Sequence, residues 1–576
     1  MSACRTSLIA FVVLLLFSIP SSATDTELAL GKAQDGVLTA GKAQSFVVSL
    51  NAGDFAQIKL DPHGKELVVI TYDPSGDKFR GTALGPDEGK FNFVADRPGT
   101  YRVGVSAKDK TVEATYTITL HKVVTLTARL APPKPVYESL RMKALKASVE
   151  SGKPGSVDAF WEEVKKQGAP LIEPLAGNDK NMLVTFLWRG TPDTHNVFVL
   201  RFPYAADKPD NYHMIRLGET DVWYKTIEVG KRMRFDYRLA PNVPTSFGTP
   251  PDFDQDAIAM IAAASRPDPL NPKRWRIDVG SLDSPEYLGN SIVEMPNAPA
   301  QPWLAERAGV PAGQVEKHRF KSTLLKNERE IAVYIPPGYS KTEKPYPLLL
   351  LFDESAYLGD KNQKALVPTP TILDNLISEK RISPMVALLV GNAAGARSRE
   401  LTCNPVFTDF LVSELLPWAH GLYNFTTDPR QTVVGGSSFG GLAATCAGLR
   451  HSETFGNILS QSGSYFWTPP GSNNSYSETD PENWIAKQFI LSAKLPLRFY
   501  LDAGSDEIDF GDGSSSILVT TRNLRDVLLA KGYDVRFQEF AGGHDYLSWR
   551  GTLADGLILL MGNPSVEPRQ ESAVKP

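Results

Sequence analysis

Residues 432–445 constrain the fold of the C-terminal half more tightly than any other segment. The apolar run Thr432-Val433-Val434 leads into Gly436-Ser437-Ser438-Phe439-Gly440, and the helix-prone run Gly441-Leu442-Ala443-Ala444-Thr445 follows. A buried strand, a sharp Gly-x-Ser-x-Gly turn and a helix, in that order, predict a serine held at a strained corner. Positions flanking such a serine must carry almost no side chain, and glycine meets that demand. The turn exposes the hydroxyl of Ser438. It also aims the backbone N–H of Phe439 at the place where an oxyanion would form.

The surroundings agree with that corner. From about residue 312, apolar runs fall at Ile331–Ile335, Leu348–Phe352, Met385–Val390, Thr432–Gly435, Leu497–Leu501 and Val535–Phe540, with helical stretches between them. Continuous apolar strands alternating with helices predict a mostly parallel sheet covered on both faces. Residues 312–563 therefore read as a doubly wound α/β domain.

The N-terminal half reads differently. Ser45–Leu50, Phe55–Leu60, Leu67–Tyr72 and Tyr101–Val105 are short alternating runs bounded by Gly, Pro, Asp or Asn. That pattern predicts a β-sandwich over 24–125. Ala131-Pro132-Pro133-Lys134-Pro135 reads as a stiff linker. A helical stretch near 136–167 and strands at Met182–Trp188, Val197–Phe202, Val222–Thr226 and Arg234–Leu239 predict a second β-rich, sandwich-like domain over 136–296. The polar tail, 564–576, reads as disordered.

A chain of 576 residues exceeds one core and implies three or four domains. Its net charge of −4 offers no basic excess for nucleic acid. Arg5, the apolar run Leu8–Ile19 and Ser21-Ser22-Ala23 form a secretory signal over 1–23, which predicts a periplasmic or secreted protein. The apolar run is shorter than the ~20 residues that a membrane span needs, so the processed chain is not expected to be an integral membrane protein. Cys403 and Cys446 would remain after cleavage; a disulfide and two buried thiols are both open. Neither cysteine has the clustered partners of a metal site.

An elbow serine needs a base, and the base needs an orienting acid. Of eight histidines, only His451 and His544 follow Ser438. His544 lies in Gly542-Gly543-His544-Asp545, directly after the strand Val535–Phe540; His451 follows the elbow helix and reads as solvent-exposed. His544 is the expected base. The acid should follow the strand Arg498–Leu501, where Asp502, Asp506, Glu507 and Asp509 are available. Glu507, beyond the turn at Gly504, is preferred, with Asp506 next. The second oxyanion donor is expected from the backbone of Glu354 or Ser355. Acyl transfer to water by such a set requires no metal and no organic cofactor.

With these residues placed, the chain from about 140 to 562 resembles the enterochelin (enterobactin) esterases, members of the α/β-hydrolase superfamily. The matching stretches are Val184–Arg189, Gly218–Trp223, Pro267–Pro272, Arg397–Asn404, Gly436–Gly441, Leu459–Ser464 and Gly542–Gly551. The resemblance implies Ser438 as nucleophile, His544 as base and Glu507 as acid. It makes Arg397, Glu400, Asn404 and Arg550 site-lining positions, where arginines would meet an anionic ferric siderophore. Two features depart from the family: the first β-module and the secretory leader.

The leading expectation is a serine esterase acting on a catecholate siderophore of the enterobactin type, or on a related aromatic acyl ester. The alternatives are a feruloyl-type carbohydrate esterase and a non-catalytic binding protein on a hydrolase fold. The expected partner is a small-molecule ester.

Overall fold

The computed structural model describes residues 26–86, 89–125, 139–202, 213–245, 248–249, 252–275, 283–359, 364–469, 483–508 and 516–562. The leader, the proline-rich linker and the polar tail lie outside the described residues. The chain divides into two compact units, 1–125 and 126–576.

The first unit is a sandwich of two sheets. One holds, in spatial order, Thr26–Glu27, Ala43–Leu50, Gly99–Ala107, Leu67–Tyr72 and Lys78–Leu84; the other holds Ala33–Leu38, Ala114–Val124, Phe55–Asp61 and Gly89–Val94. Alternation drives it. In Leu67–Tyr72, residues 67, 69 and 71 are buried while 68, 70 and 72 are only partly so. Aromatic side chains join the two sheets: Phe93 meets Phe79 and Tyr101, and Tyr116 meets Phe46.

The second unit opens with two helices, Leu140–Glu150 and Ser156–Gln167. The sequence suggested one helical stretch. Gly152 and Gly155, at φ 68° and 69°, take the left-handed turn that splits it. The helices bury Leu145, Phe160, Trp161 and Val164 against Leu187, Val222 and Tyr224. Two four-stranded sheets follow. One orders Leu171–Pro174, Asn181–Arg189, Val222–Gly230 and Ile215–Arg216; the other orders Val197–Phe202, Arg234–Pro241, Asn290–Glu294 and Arg274–Trp275. Their facing sides share one core, in which Phe186 packs on Tyr237 with ring centres 4.7 Å apart.

The rest of this unit is an eight-stranded sheet. Its strands are β1 (Gln314–Ser322), β2 (Asn327–Ile335), β3 (Leu348–Phe352), β4 (Val386–Val390), β5 (Thr432–Ser437), β6 (Asn457–Gln461), β7 (Arg498–Gly504) and β8 (Asp534–Phe540). The spatial order is β1-β2-β4-β3-β5-β6-β7-β8. β2 is antiparallel to both its neighbours, and every other pairing is parallel. Every residue of β3 and β4 is buried because helices cover both faces. Phe439–Arg450 packs Leu442, Ala443 and Cys446 on one face. Thr369–Ser378 and Tyr546–Met561 pack Ile372, Leu373, Leu553 and Leu557 on the other. Parallel order brings the C-terminal ends of β3, β5, β6 and β7 to one edge, where the loops that follow them can converge.

Candidate active site

All six residues of β5 are buried, and the chain turns at its end. Ser438 takes φ 59° and ψ −122°, a region that costs a non-glycine residue of order 1–3 kcal/mol. The corner is tight: a Cβ at Gly436 would lie 2.9 Å from the carbonyl carbon of Gly440. The strain is held by backbone bonds. Ser438 N–H donates to the Gln461 carbonyl at 2.9 Å, and Ser464 N–H donates to the Ser438 carbonyl at 3.1 Å.

His544 arrives from the loop after β8. Its Nε2 lies 2.9 Å from Ser438 Oγ, and its Nδ1 lies 2.6 Å from Glu507 Oε1. The carboxylate can only accept, so Nδ1 carries the proton and Nε2 presents its lone pair to the serine hydroxyl. Glu507 is fully buried. Its second oxygen accepts the N–H of Gly504 at 2.6 Å, so both oxygens have donors. The loops after β7 and β8 touch through glycine: a Cβ on Gly504 would fall 2.5 Å from the Gly542 carbonyl oxygen. Asp506, the second candidate acid, sends its backbone N–H to that carbonyl, and its side chain helps line a cavity against the second β region. His451 is bonded to Asp409 and Glu453 and is largely buried, unlike the exposed position expected for it.

Trp549, on the helix after His544, donates from Nε1 to Ser462 Oγ at 2.9 Å and stands edge-on to the His544 ring, 4.8 Å away. Beneath Ser462 lies Asp502, whose Oδ1 accepts the Ser462 N–H at 2.9 Å. Burial pushes the Asp502 carboxyl up to about 8, and the nearby Glu507 charge adds to the rise.

The loop after β3 forms the opposite wall. Asp353 takes a left-handed conformation (φ 63°, ψ 50°) and starts the short helix Glu354–Leu358. The amides of Glu354 and Ser355 open that helix, where first-turn N–H groups have no intrahelical acceptor. Asp353 accepts two bonds from Arg397 and one from Asn392 Nδ2, at 2.6–2.7 Å. The Arg397 guanidinium also lies over the Phe439 ring, 5.8 Å from its centre. The arginine expected to meet an anion is thus already paired with a carboxylate.

The other expected lining residues have structural partners. Glu400 is 2% exposed and bound to Arg329, which is equally buried. A buried pair of this kind belongs to the core of the fold. Asn404 caps the helix Pro405–Phe410 by accepting from Val406 N–H and Phe407 N–H. Arg550 donates from Nε to Gln301 Oε1 and stacks on Trp275 at 4.7 Å. Burial lowers its guanidinium to about 10, so it sits as a cation against the second β region. Cys403 and Cys446 form a disulfide that ties the segment after Arg397–Leu401 to the elbow helix.

Asp353, Ser462, Ser464 and Trp549 were not among the sequence candidates. A carboxylate directly after an apolar strand is the only signal Asp353 offers, and a helix start explains it equally well. Among the described residues, no group of three or more His, Cys, Asp or Glu side chains could hold a metal ion. No helix among them is long and apolar enough to cross a membrane.

Residues 183–304 match the family described as enterochelin esterase, N-terminal, and residues 322–560 match a family described as putative esterase. An iron(III) enterobactin esterase from Dickeya dadantii is 30% identical over 447 residues, covering 72% of this chain and 95% of that protein. The chain belongs to the enterobactin esterase family. It is a carboxylic ester hydrolase. An iron(III) salmochelin esterase from Escherichia coli is 28% identical and covers 73% of this chain and 97% of its own length. The solved enterobactin esterase from Shigella flexneri, determined in the presence of enterobactin, is 29% identical with a TM-score of 0.55. It covers 71% of this chain and 98% of its own. The likeness to the enterobactin esterases spans the α/β-hydrolase sheet and the β-rich region before it.

Proposed function

We propose that this esterase hydrolyses the serine ester bonds of a catecholate siderophore of the enterobactin type through an acyl-enzyme on Ser438. One observation carries the chemistry: the continuous hydrogen-bonded line from Ser438 Oγ through His544 to buried Glu507. The substrate class is supported by the relatives named above.

In the first step Ser438 Oγ attacks the ester carbonyl while its proton passes to His544 Nε2. Glu507 holds the Nδ1 proton and stabilises the imidazolium. The negative charge on the carbonyl oxygen is met by the N–H of Phe439 and by the N–H of Glu354 or Ser355. Collapse breaks the bond to the ester oxygen of the leaving serine arm, and that alkoxide takes the proton from Nε2 to leave as the hydroxyl. Water then repeats the sequence on the acyl-enzyme and frees Ser438.

We assign the working location to the periplasm or the exterior. The leader sequence supports it, and so does the disulfide, since such bonds persist in oxidising compartments.

The test is a panel of ferric enterobactin, iron-free enterobactin and methyl ferulate given to purified mature protein. Opening of the trilactone with little action on methyl ferulate is the expected result. Action on methyl ferulate alone would overturn the substrate assignment.

A further inference from the structure

A second hydroxyl lies against the nucleophile. Ser464 Oγ is 3.2 Å from Ser438 Oγ, and Ser464 is 2% exposed. The direction of this bond follows from the first one. The Ser438 proton is committed to His544 Nε2, so the proton between the two oxygens belongs to Ser464. We propose that Ser464 is a catalytic residue: its hydroxyl donates to Ser438 Oγ and stabilises the negative charge that this oxygen carries as it attacks and as it leaves. The inference rests on Ser438 being the nucleophile.

The loop is built to hold that hydroxyl still. Ser438 N–H reaches the Gln461 carbonyl, and Ser464 N–H reaches the Ser438 carbonyl, so 461–464 brackets the elbow from both sides. Between them Gly463 has no room for a side chain: a Cβ there would stand 2.6 Å from Ser460 Oγ and from the Tyr465 ring. Tyr465 OH in turn donates to Ser460 Oγ at 2.6 Å and lies 2.9 Å from Thr445 Oγ1 on the elbow helix. Ser464 is fixed by backbone bonds that its own side chain does not make. Removing the hydroxyl leaves the bracket in place.

Its chemistry is distinct from the oxyanion site. The Phe439 amide addresses the carbonyl oxygen of the substrate, whereas Ser464 addresses the attacking oxygen. During attack, Oγ loses its proton to Nε2 while its bond to the carbonyl carbon is incomplete, and it carries partial negative charge. During deacylation the Oγ–carbonyl bond breaks and the same charge returns before Nε2 reprotonates it. Ser464 keeps its own proton throughout. A donor bond to a charged oxygen is stronger than one to a neutral oxygen, so it favours both transition states over the resting enzyme and the acyl-enzyme.

The experiment compares wild type, Ser464→Ala and Ser438→Ala on p-nitrophenyl butyrate. End-point labelling with a fluorophosphonate counts intact sites, so any misfolded fraction is removed from the comparison. Per labelled site, Ser464→Ala should lower kcat by about tenfold to a hundredfold with KM unchanged, as expected for the loss of a bond to a charged oxygen. A kcat within twofold of wild type would overturn the proposal, and so would a raised KM at unchanged kcat. Ser438→Ala should take no label. If it labelled and turned over like wild type, the nucleophile assignment itself would have failed.

Discussion

Arg397 and Asp353 form a two-bonded ion pair beside the elbow, with Nε to Oδ1 at 2.6 Å and Nη2 to Oδ2 at 2.7 Å. The pair fixes the residue that precedes the Glu354 amide, while the same guanidinium covers Phe439 on the other side. Both proposed oxyanion donors are therefore positioned by one arginine. Its fork-shaped donors suit a task that a lysine would do poorly.

Arg397→Met should lower kcat on a neutral ester such as p-nitrophenyl butyrate by about tenfold to 10²-fold, a fraction of the cost of losing an oxyanion donor outright. KM for that ester should hardly change. An effect seen only as a raised KM for ferric enterobactin would mean that Arg397 binds the anion instead.

Glu507→Gln should reduce kcat by about 10²–10⁴, because the amide can no longer hold the Nδ1 proton in place. Asp506→Asn should stay within a few-fold of wild type. Steady-state hydrolysis by the two variants decides the acid, and the reverse ranking would reassign it to Asp506.

Much of this site is legible in the sequence because its key residues sit at forced places. Ser438 follows a buried strand and precedes a helix; His544 and Glu507 follow the last two strands. The missing parts lack such forcing. β1 carries Glu316, Lys317, Arg319 and Lys321 on an edge hairpin with one neighbour, so it shows no apolar run. β6 is five residues long and buries Asn457, Ser460 and Gln461, polar groups satisfied by bonds that only the fold supplies. The resemblance alone places Glu400 in the site lining, and its partner Arg329, 71 residues away, gives no local sign of the buried ion pair. Long-range pairs of that kind leave no local trace.

Asp502 predicts a pH effect on stability. Its folded value is about 8 against 3.8 for a free aspartate, raised first by burial. Between those values the folded chain holds a proton that the unfolded chain has released, so this group lowers stability as pH rises through that window. Asp502→Asn does not titrate and should gain in melting temperature relative to wild type from about pH 5 to about pH 8. Parallel curves for the two proteins would contradict the burial argument.

The Cys403–Cys446 disulfide closes a loop of 43 residues. A loop of that length restricts the unfolded chain enough to contribute about 2–4 kcal/mol. Cys403→Ser with Cys446→Ser should lower the denaturant midpoint accordingly, and a reductant should do the same to wild type but not to the double variant. Equal midpoints for all samples would show that the pair does not stabilise the fold.

The most direct measurement follows enterobactin itself, by chromatography of the released catecholate serine products, with wild type and Ser438→Ala side by side. Wild type should open the trilactone, and the alanine variant should be slower by about 10⁵-fold or more while remaining folded. Cleavage by Ser438→Ala at the wild-type rate would contradict the account at its centre.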